Sequence, residues 1–490
     1  MPISKTCTIE IQTEVRCQVH GLLEPEINFL YEQYGFFIDG HKHHPLVKLH
    51  QWDGKIRFFS KKGITYTLLL DEIVAILTKK GYSINVEDNR TVMVPDIDSI
   101  DENFFGECVD NYGNPFKIRP YQVESVNRLI DSLCGIIVAG TGAGKATMVC
   151  ALAKAISNTG NHRVLIIVPN TSLITQIKQD FERFSMDVGE YSGNSKDINH
   201  IHVVSTWQAL QHHPEIMYQF NALIVDECHG CKSDVLNKLL IEYGPHIALR
   251  YGVTGTMPKN KADYYTVVSG LGMVRKTITT KWLQDNGYLS TLDINCVVLK
   301  ERYPANHFPD YESEQTSFNS PLRLLWISEL IEQIRNSAPK DNNILCLFTN
   351  KQTGKKLQEL VEGSIYLDGD VKTKKRKETY DKFEQSDGMV AFATYGIAST
   401  GISIDRMHYL ILIDPGKSFI RVLQSIGRGV RKGGGKTHID IYDISSNLKF
   451  STLHRIKRQE YYKEAQYPFI TSYVDYQDGM ADSSFVEGVS

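Results

Sequence analysis

VAGTGAGKATMV, residues 138–149, is the stretch on which the reading of the whole chain turns. The apolar run GIIVA leads into it, and TMVCALAKAI, a segment suited to a helix, leaves it. Glycines at a strand-to-helix turn let backbone N–H groups and a helix N-terminus converge on an anion. Gly140, Thr141, Gly142, Ala143, Gly144 and Lys145 therefore read as a phosphate-binding loop. The position after the lysine, which usually offers a hydroxyl to Mg²⁺, is Ala146. Glycine-rich turns also occur without ligands, so the loop is weighed by what surrounds it.

Its surroundings repeat the same strand-then-helix pattern. RVLIIVP, IHVVST, NALIVDE and IALRYGVTG are short apolar runs that end in small or polar residues. Such runs, separated by helical segments, indicate a parallel sheet covered on both faces, with working loops at the strand C-terminal ends. A second series begins near residue 342 with NNILCLFT, SIYLDG, GMVAFATY, HYLILID and HIDIYDI. The predicted fold class is α/β: two similar parallel-sheet domains in tandem, preceded by a small α+β module. The expected boundaries are residues 1–112 for that module, 113–280 and 326–465 for the two domains, 281–325 for an exposed connector, and 466–490 for an acidic tail. YPANHFPDYESEQTSFNS, polar and aromatic with two prolines, marks the connector. The tail has no Lys or Arg after Lys463 and is expected to be disordered or loosely docked.

Composition narrows the class. A chain of 490 residues exceeds one ordinary core. A net charge of −3 means that nucleic-acid contact has to come from local basic patches. Nine cysteines without framework spacing fit reduced thiols, and no run is apolar for the ~18 residues a membrane helix needs. A soluble cytoplasmic protein with no membrane partner is expected.

LIVDECHG ends an apolar strand in Asp226 and Glu227. A carboxylate there can hold Mg²⁺, assigned to Asp226, while its neighbour Glu227 orients or deprotonates an attacking water. Cys228 and Cys231 resemble half a zinc site, but no second pair follows, and metal binding there is set aside. The His-rich HKHHPLVKLH lacks ligand spacing and reads as a polar loop.

In this order the motifs resemble those of the superfamily 2 helicases. The resemblance implies RecA-like folds for both domains, with ATP and Mg²⁺ as cofactors. In IRPYQVESV it implies that Gln122 reads adenine, with Arg119 or Tyr121 near the ring. VPNTSLITQ and VSTWQAL imply a grip on a nucleic-acid backbone through Pro169, Thr171, Ser205, Thr206, Trp207 and Gln208. GVTGTM supplies Thr254 and Thr256 to couple hydrolysis to movement. In the second domain QSIGRGVR supplies Gln424, Arg428 and Arg431, the two arginines one helical turn apart and able to reach a γ-phosphate. ATYGIASTGISI implies Gly401 near the ribose and Thr394 facing nucleic acid, with Thr349 and Asn350 as a further grip.

Departures from the family pattern choose the branch. Ser403 and Ser425 replace an Asp and an Arg carried by many relatives, and DECH and TGT stand in place of DEAD and SAT. These favour a DNA motor over an RNA remodeller. QWDGKIRFF followed by a hydrophobic helix resembles the bacteriophage UvsW-type helicases, which implies forked or branched DNA as substrate in recombination, repair or replication, in the host cytoplasm. By its own chemistry, Trp52, Asp53 and Gly54 mark a tight turn, and Lys55, Arg57, Lys61 and Lys62 form either a basic strip for duplex phosphates or a solvated hairpin. A monomer on DNA is expected, with no protein partner specified. Two alternatives stay open: a duplex translocase serving a restriction or remodelling complex, and an ATP-responsive branched-DNA clamp with little turnover because of Ala146.

Overall fold

The structure is a computed structural model that describes residues 5–91, 94–110, 113–160, 162–304, 307–340, 342–367, 383, 386–395, 407–416 and 438–477. It divides into two compact units, Met1–Thr279 and Thr280–Ser490.

The first unit begins with a four-stranded sheet in the order Ile64–Tyr66, Arg16–His20, Lys5–Ile11, Tyr82–Asp88. Period-two burial of Cys7, Ile9 and Ile11 turns one face of Lys5–Ile11 onto the helix Leu70–Lys79, whose Ile73 and Leu77 are buried against it. A separate antiparallel ribbon pairs Gly35–Phe37 with Lys55–Arg57. Between those strands lie a turn of 3-10 helix, His41–His43, and a short helix, Pro45–Lys48, so the chain returns by a long excursion rather than by a tight hairpin.

The rest of this unit is an eight-stranded sheet, ordered Lys196–Asp197, Gly189–Tyr191, His202–Thr206, Val164–Val168, Ala222–Asp226, Leu249–Thr254, Cys134–Ala139, Val274–Ile278. Every pairing from Gly189–Tyr191 onward is parallel. Val164–Val168 is buried at all positions, as a strand covered on both faces requires. Asp226 lies beside Val253, and Thr254 beside Val138, so three adjacent strands end together at one edge. Arg250 is fully buried in the middle strand and donates to the carbonyls of Gly270, Gly244 and Leu240 at 2.7, 2.6 and 2.8 Å.

The second unit is a seven-stranded, all-parallel sheet: Ile365–Leu367, Val390–Thr394, Asn343–Phe348, Met407–Ile413, His438–Ser446, Thr291–Leu299, Phe469–Val474. Two expectations are corrected here. Thr291–Leu299, assigned to an exposed connector, is an interior strand paired on both sides. Its apolar positions reach the core, but the polar, proline-bearing segment after it masked the signal. Phe469–Val474, assigned to a loose tail, is the edge strand beside it. Ser472 of FITSYV is buried, and six residues in register suffice to dock the segment.

Buried ion pairs fasten this sheet. Arg323, with no exposed surface, grips Asp414 through two bonds of 2.7 Å and reaches Glu301 at 3.1 Å. Arg458 holds Asp443 through two bonds of 2.8 Å and donates to the Pro415 carbonyl at 2.7 Å. A buried carboxylate that loses its cation costs roughly 3 to 5 kcal/mol. Arg323→Met leaves Asp414 and Glu301 without theirs, and the second unit is expected to lose about that much stability in chemical denaturation. A change below about 1 kcal/mol, the size of an exposed pair, would mean the buried pair contributes little.

Candidate functional site

The site is built on the three strand ends that finish together. Cys134–Ala139 runs into the glycine loop, and the helix Lys145–Ser157 follows without a break. Gly142 and Gly144 take φ of 82° and 76°, a left-handed conformation that bends the chain around the loop. Among the described residues no side chain caps Gly144, and first-turn N–H groups have no partner four residues back. These donors and the adjoining lysine fit a phosphate.

Loop shape is held from below. Gln122 is 4% exposed, and its Nε2 donates to the Ala143 carbonyl at 2.8 Å while its Oε1 accepts the Arg119 N–H at 3.0 Å. Tyr121, also buried, donates its hydroxyl to the same carbonyl at 3.0 Å and receives Arg119 Nη1 at 3.1 Å. Gln122 therefore supports the loop, and the second hydrogen on Nε2 and the second lone pair on Oε1 remain for the adenine edge that the resemblance assigns to it. A Cβ on Gly144 would stand 2.2 Å from Gln122 Nε2, so the support requires glycine there.

Across from the loop, Glu227 takes φ of 51°, a strained value for a residue with a Cβ. Its Oε1 lies 3.4 Å from Lys145 Nζ. His229 Nδ1 sits 3.4 Å from Glu227 Oε2 and 2.9 Å from Thr254 Oγ1, and the Thr254 hydroxyl is 3.4 Å from the same Oε2. Thr254 also donates to the Thr256 carbonyl at 3.0 Å. Burial pushes the Glu227 carboxyl up, but the His229 hydrogen bond, the Lys145 charge and the Gly255 backbone outweigh it and hold the group at about 2. Asp226 Oδ1 accepts the Glu227 N–H at 3.0 Å. Lys145, Asp226, Glu227 and Thr254 are thus brought together, while Thr256 is exposed beside them. With the loop donors, this acid pair and ammonium form a set that suits a magnesium triphosphate.

Sequence reasoning passed over His229, since attention went to its cysteine neighbours. The signal was its place two residues after Glu227. Cys228 and Cys231 are buried thiols, pushed upward by burial. Among the described residues the one cluster with metal-ligand spacing, Asp293, His438 and Asp440, includes neither.

The strand ends beyond the loop divide the remaining candidates. Asn170, Thr171 and Ser172 are exposed at the start of the helix Thr171–Arg183. Pro169 presents its carbonyl to Gln208 Nε2 at 3.1 Å. Ser205 is corrected: it has no exposed surface, and its hydroxyl is spent on the Tyr191 carbonyl at 2.7 Å. Thr206 is buried and caps Ala209, and Trp207 packs its half-buried ring on the core. Two cations of the basic strip are paired within the protein. Lys55 pairs with Glu32 at 2.7 Å, and Arg57 pairs with Asp53 and Glu32, so neither is a free cation. In the second unit Thr394 lies beside Phe348, one residue before exposed Thr349, and Asn350 caps the next helix. Gly401, Gln424, Arg428 and Arg431 lie outside the described residues, as do Ser403 and Ser425. No helix among the described residues is long and apolar enough to cross a membrane.

Comparison with known proteins agrees with this layout. Residues 115–259 match the family described as Type III restriction enzyme, res subunit, and residues 326–433 match the helicase conserved C-terminal domain. The ATP-dependent DNA helicase uvsW of Enterobacteria phage T4 is 26% identical over 450 residues, covering 86% of this chain and 87% of that protein. The DNA 3'-5' helicase XPB of Kineococcus radiotolerans is 23% identical, covering 77% of this chain and 69% of that one. The Pyrococcus furiosus Hef helicase domain shares the fold at a TM-score of 0.52 and 14% identity, over 69% of this chain and 98% of that one.

The low position of Glu227 predicts a pH signature. Its carboxyl falls from the ordinary 4.5 to about 2 on folding. The ionised group therefore stabilises fully above the unfolded value, and that contribution fades as pH drops through the window between the two. Relative to the parent, Glu227→Gln is expected to be less stable at neutral pH, with the difference shrinking through that window. A difference that stays constant would contradict the depressed carboxyl.

Proposed function

This chain is a superfamily 2 helicase, and on that premise we propose that it is an ATP-dependent motor that unwinds or branch-migrates forked and branched DNA. The observation that carries the catalytic part is the cluster of Lys145, Glu227, His229 and Thr254 at the ends of three adjacent strands. ATP supplies the phosphoanhydride whose cleavage drives the cycle, and a Mg²⁺ ion bound with it would neutralise charge on the leaving group. Asp226 is the residue assigned to the metal. The loop binds the phosphates through the backbone N–H groups of Gly142, Gly144 and Lys145, while those of Gly140 and Ala143 hold the loop itself, on the Ile278 carbonyl at 2.8 Å and the Gly140 carbonyl at 3.1 Å.

Lys145 has a second task. In this structure it helps hold the Glu227 carboxyl down. A triphosphate draws the same ammonium, and once Lys145 turns toward phosphate Glu227 becomes a better proton acceptor for water. His229 and Thr254 then keep the carboxylate aimed. Thr254 links it to Thr256 and the segment beyond, a route by which the state of the site reaches the rest of the domain.

DNA as the track is supported by the two relatives named as DNA helicases. The preference for branches rests on the resemblance of the N-terminal module to UvsW-type helicases. Backbone grips are assigned to the exposed Thr171 segment in the first unit and to Thr349, Asn350 and Thr394 in the second. Arg428 and Arg431 are assigned to the γ-phosphate, and the protein works as a monomer in the cytoplasm. The match to a restriction-enzyme motor family favours a second reading, translocation on duplex without strand separation.

Phosphate release and strand displacement on forks, four-way junctions and blunt duplex test these readings. Release stimulated by DNA together with separated strands on forks is the expected result. Stimulation without separation would select the duplex translocase, and release indifferent to DNA would leave only an ATP-responsive clamp. Glu227→Gln is expected to bind ATP but hydrolyse it at least roughly 100-fold more slowly, and normal hydrolysis would remove the carboxylate assignment. Ala146→Thr is expected to raise turnover about 10- to 100-fold, the equivalent of one contact to a charged group. Unchanged turnover would show that the hydroxyl is dispensable.

A further inference from the structure

The helix Lys261–Leu271 begins seven positions past Thr254 and lies between two parts of the first unit. On one side it packs against the 3-10 turn Cys228–Lys232, which starts directly after Glu227, with Lys232 Nζ 3.2 Å from Asp263. On the other side it meets the N-terminal module. Phe36 stacks on Tyr265 with ring centres 4.7 Å apart, and Glu72 accepts the hydroxyls of Tyr265 and Tyr34 at 3.1 and 3.2 Å.

The residue at the head of this helix faces both ways. Asn260 Oδ1 accepts the N–H groups of Ala262 and Asp263 at 2.7 and 3.4 Å and so caps the helix. Its Nδ2 donates to Asp39 Oδ1 at 2.6 Å and to the Phe37 carbonyl at 3.3 Å, beside the ribbon of Gly35–Phe37 and Lys55–Arg57. One rigid amide thus ties the N-terminal module to the segment that carries Thr254 and Thr256.

We propose that Asn260 is a positioning residue through which the N-terminal module, on engaging DNA, adjusts the Glu227, His229 and Thr254 cluster and raises the rate of ATP hydrolysis. The inference rests on the reading of the protein as a DNA motor. Its physical basis is short and contiguous. Because one amide is bonded to the ribbon side through Nδ2 and to the helix start through Oδ1, a shift of the ribbon must either break one of these bonds or carry the helix start with it. Behind that start the helix is packed on the turn after Glu227, and close-packed interiors pass small shifts on rather than absorbing them. A cap alone needs only the Oδ1 half of this side chain. The Nδ2 half serves the module.

The two halves separate experimentally. Asn260→Asp keeps the acceptor that caps the helix, and Asp is an equally good cap, but it sets a carboxylate against Asp39. Combining it with Asp39→Asn restores a donor and an acceptor with their places exchanged. Phosphate release by the full chain is measured at saturating Mg-ATP with and without a synthetic forked duplex. Asn260→Asp is expected to lower the DNA-stimulated kcat roughly three- to thirtyfold, with KM for ATP, the DNA-independent rate and the melting temperature unchanged, and the double variant to recover most of the loss. Full stimulation of Asn260→Asp would overturn the proposal, and so would a double variant as defective as the single one. If the fork fails to stimulate the parent chain, the DNA-motor reading itself is what falls.

Discussion

Three neighbouring parallel strands that stop at the same level are the constraint on which the site depends. Because Ala222–Asp226, Leu249–Thr254 and Cys134–Ala139 lie side by side in register, Glu227, Thr254 and the glycine loop emerge together, although 81 positions separate Lys145 from Asp226. A slip of one residue in a strand would turn its side chains to the opposite face. The Lys145 and Glu227 contact that results is a poor fastener: both side chains are partly exposed, at 21% and 30%, and such pairs contribute little to stability. Its value lies in the two charges being kept for a third. Backbone strain at Glu227 has the same meaning, since a relaxed residue there would not turn its carboxylate toward the loop.

The two sheets share a design and differ in how their interiors handle charge. In the first, Arg250 is buried without a carboxylate and satisfies its guanidinium on three carbonyls, with burial pushing its pKa down to about 10. In the second, Arg323 and Arg458 are each matched bidentately to an aspartate beneath the strand ends. Asp414 also presents its carbonyl to the Thr349 hydroxyl at 3.4 Å. The ion pairs therefore stiffen the floor beneath Thr349, the residue proposed to grip a nucleic-acid backbone. A grip that converts domain movement into steps needs such a floor, because a compliant one would dissipate the motion.

Much of this was legible because it rests on local pattern. Continuous apolar runs announced the parallel strands, and the glycine loop and acid pair announced the strand ends that matter. What escaped depends on contacts remote in sequence. Thr291–Leu299 and Phe469–Val474 are strands because they complete one another's hydrogen bonds within an existing sheet. Ser205 sits in a motif that suggests exposure, yet strand pairing turns it inward. Lys55 and Arg57 read as free cations until Glu32, on a preceding helix, reaches them. Gln122 is the subtlest case: its bond to the Ala143 carbonyl, which shapes the glycine loop, joins residues 21 positions apart and cannot be read from the motif.

The loop geometry also bears on what the alanine after the lysine removes. Thr147 does not stand in for it. One residue along a helix turns a side chain by about 100°, and the Thr147 hydroxyl lies 3.8 Å from where a Cβ on Gly144 would be, close to Gln122, whereas Lys145 reaches Glu227. A bound Mg²⁺ would be held by Asp226 and the nucleotide's own oxygens, without the hydroxyl that a Ser or Thr at 146 would offer. A contact of that kind is worth about 1.5 to 3 kcal/mol, against the roughly 8 kcal/mol that micromolar affinity represents. Glycine N–H groups, the helix start and Lys145 are untouched, so binding survives. Hydrolysis differs, because it draws on interactions that strengthen in the transition state, where metal placement counts most. An alanine here is therefore expected to slow hydrolysis without abolishing nucleotide binding.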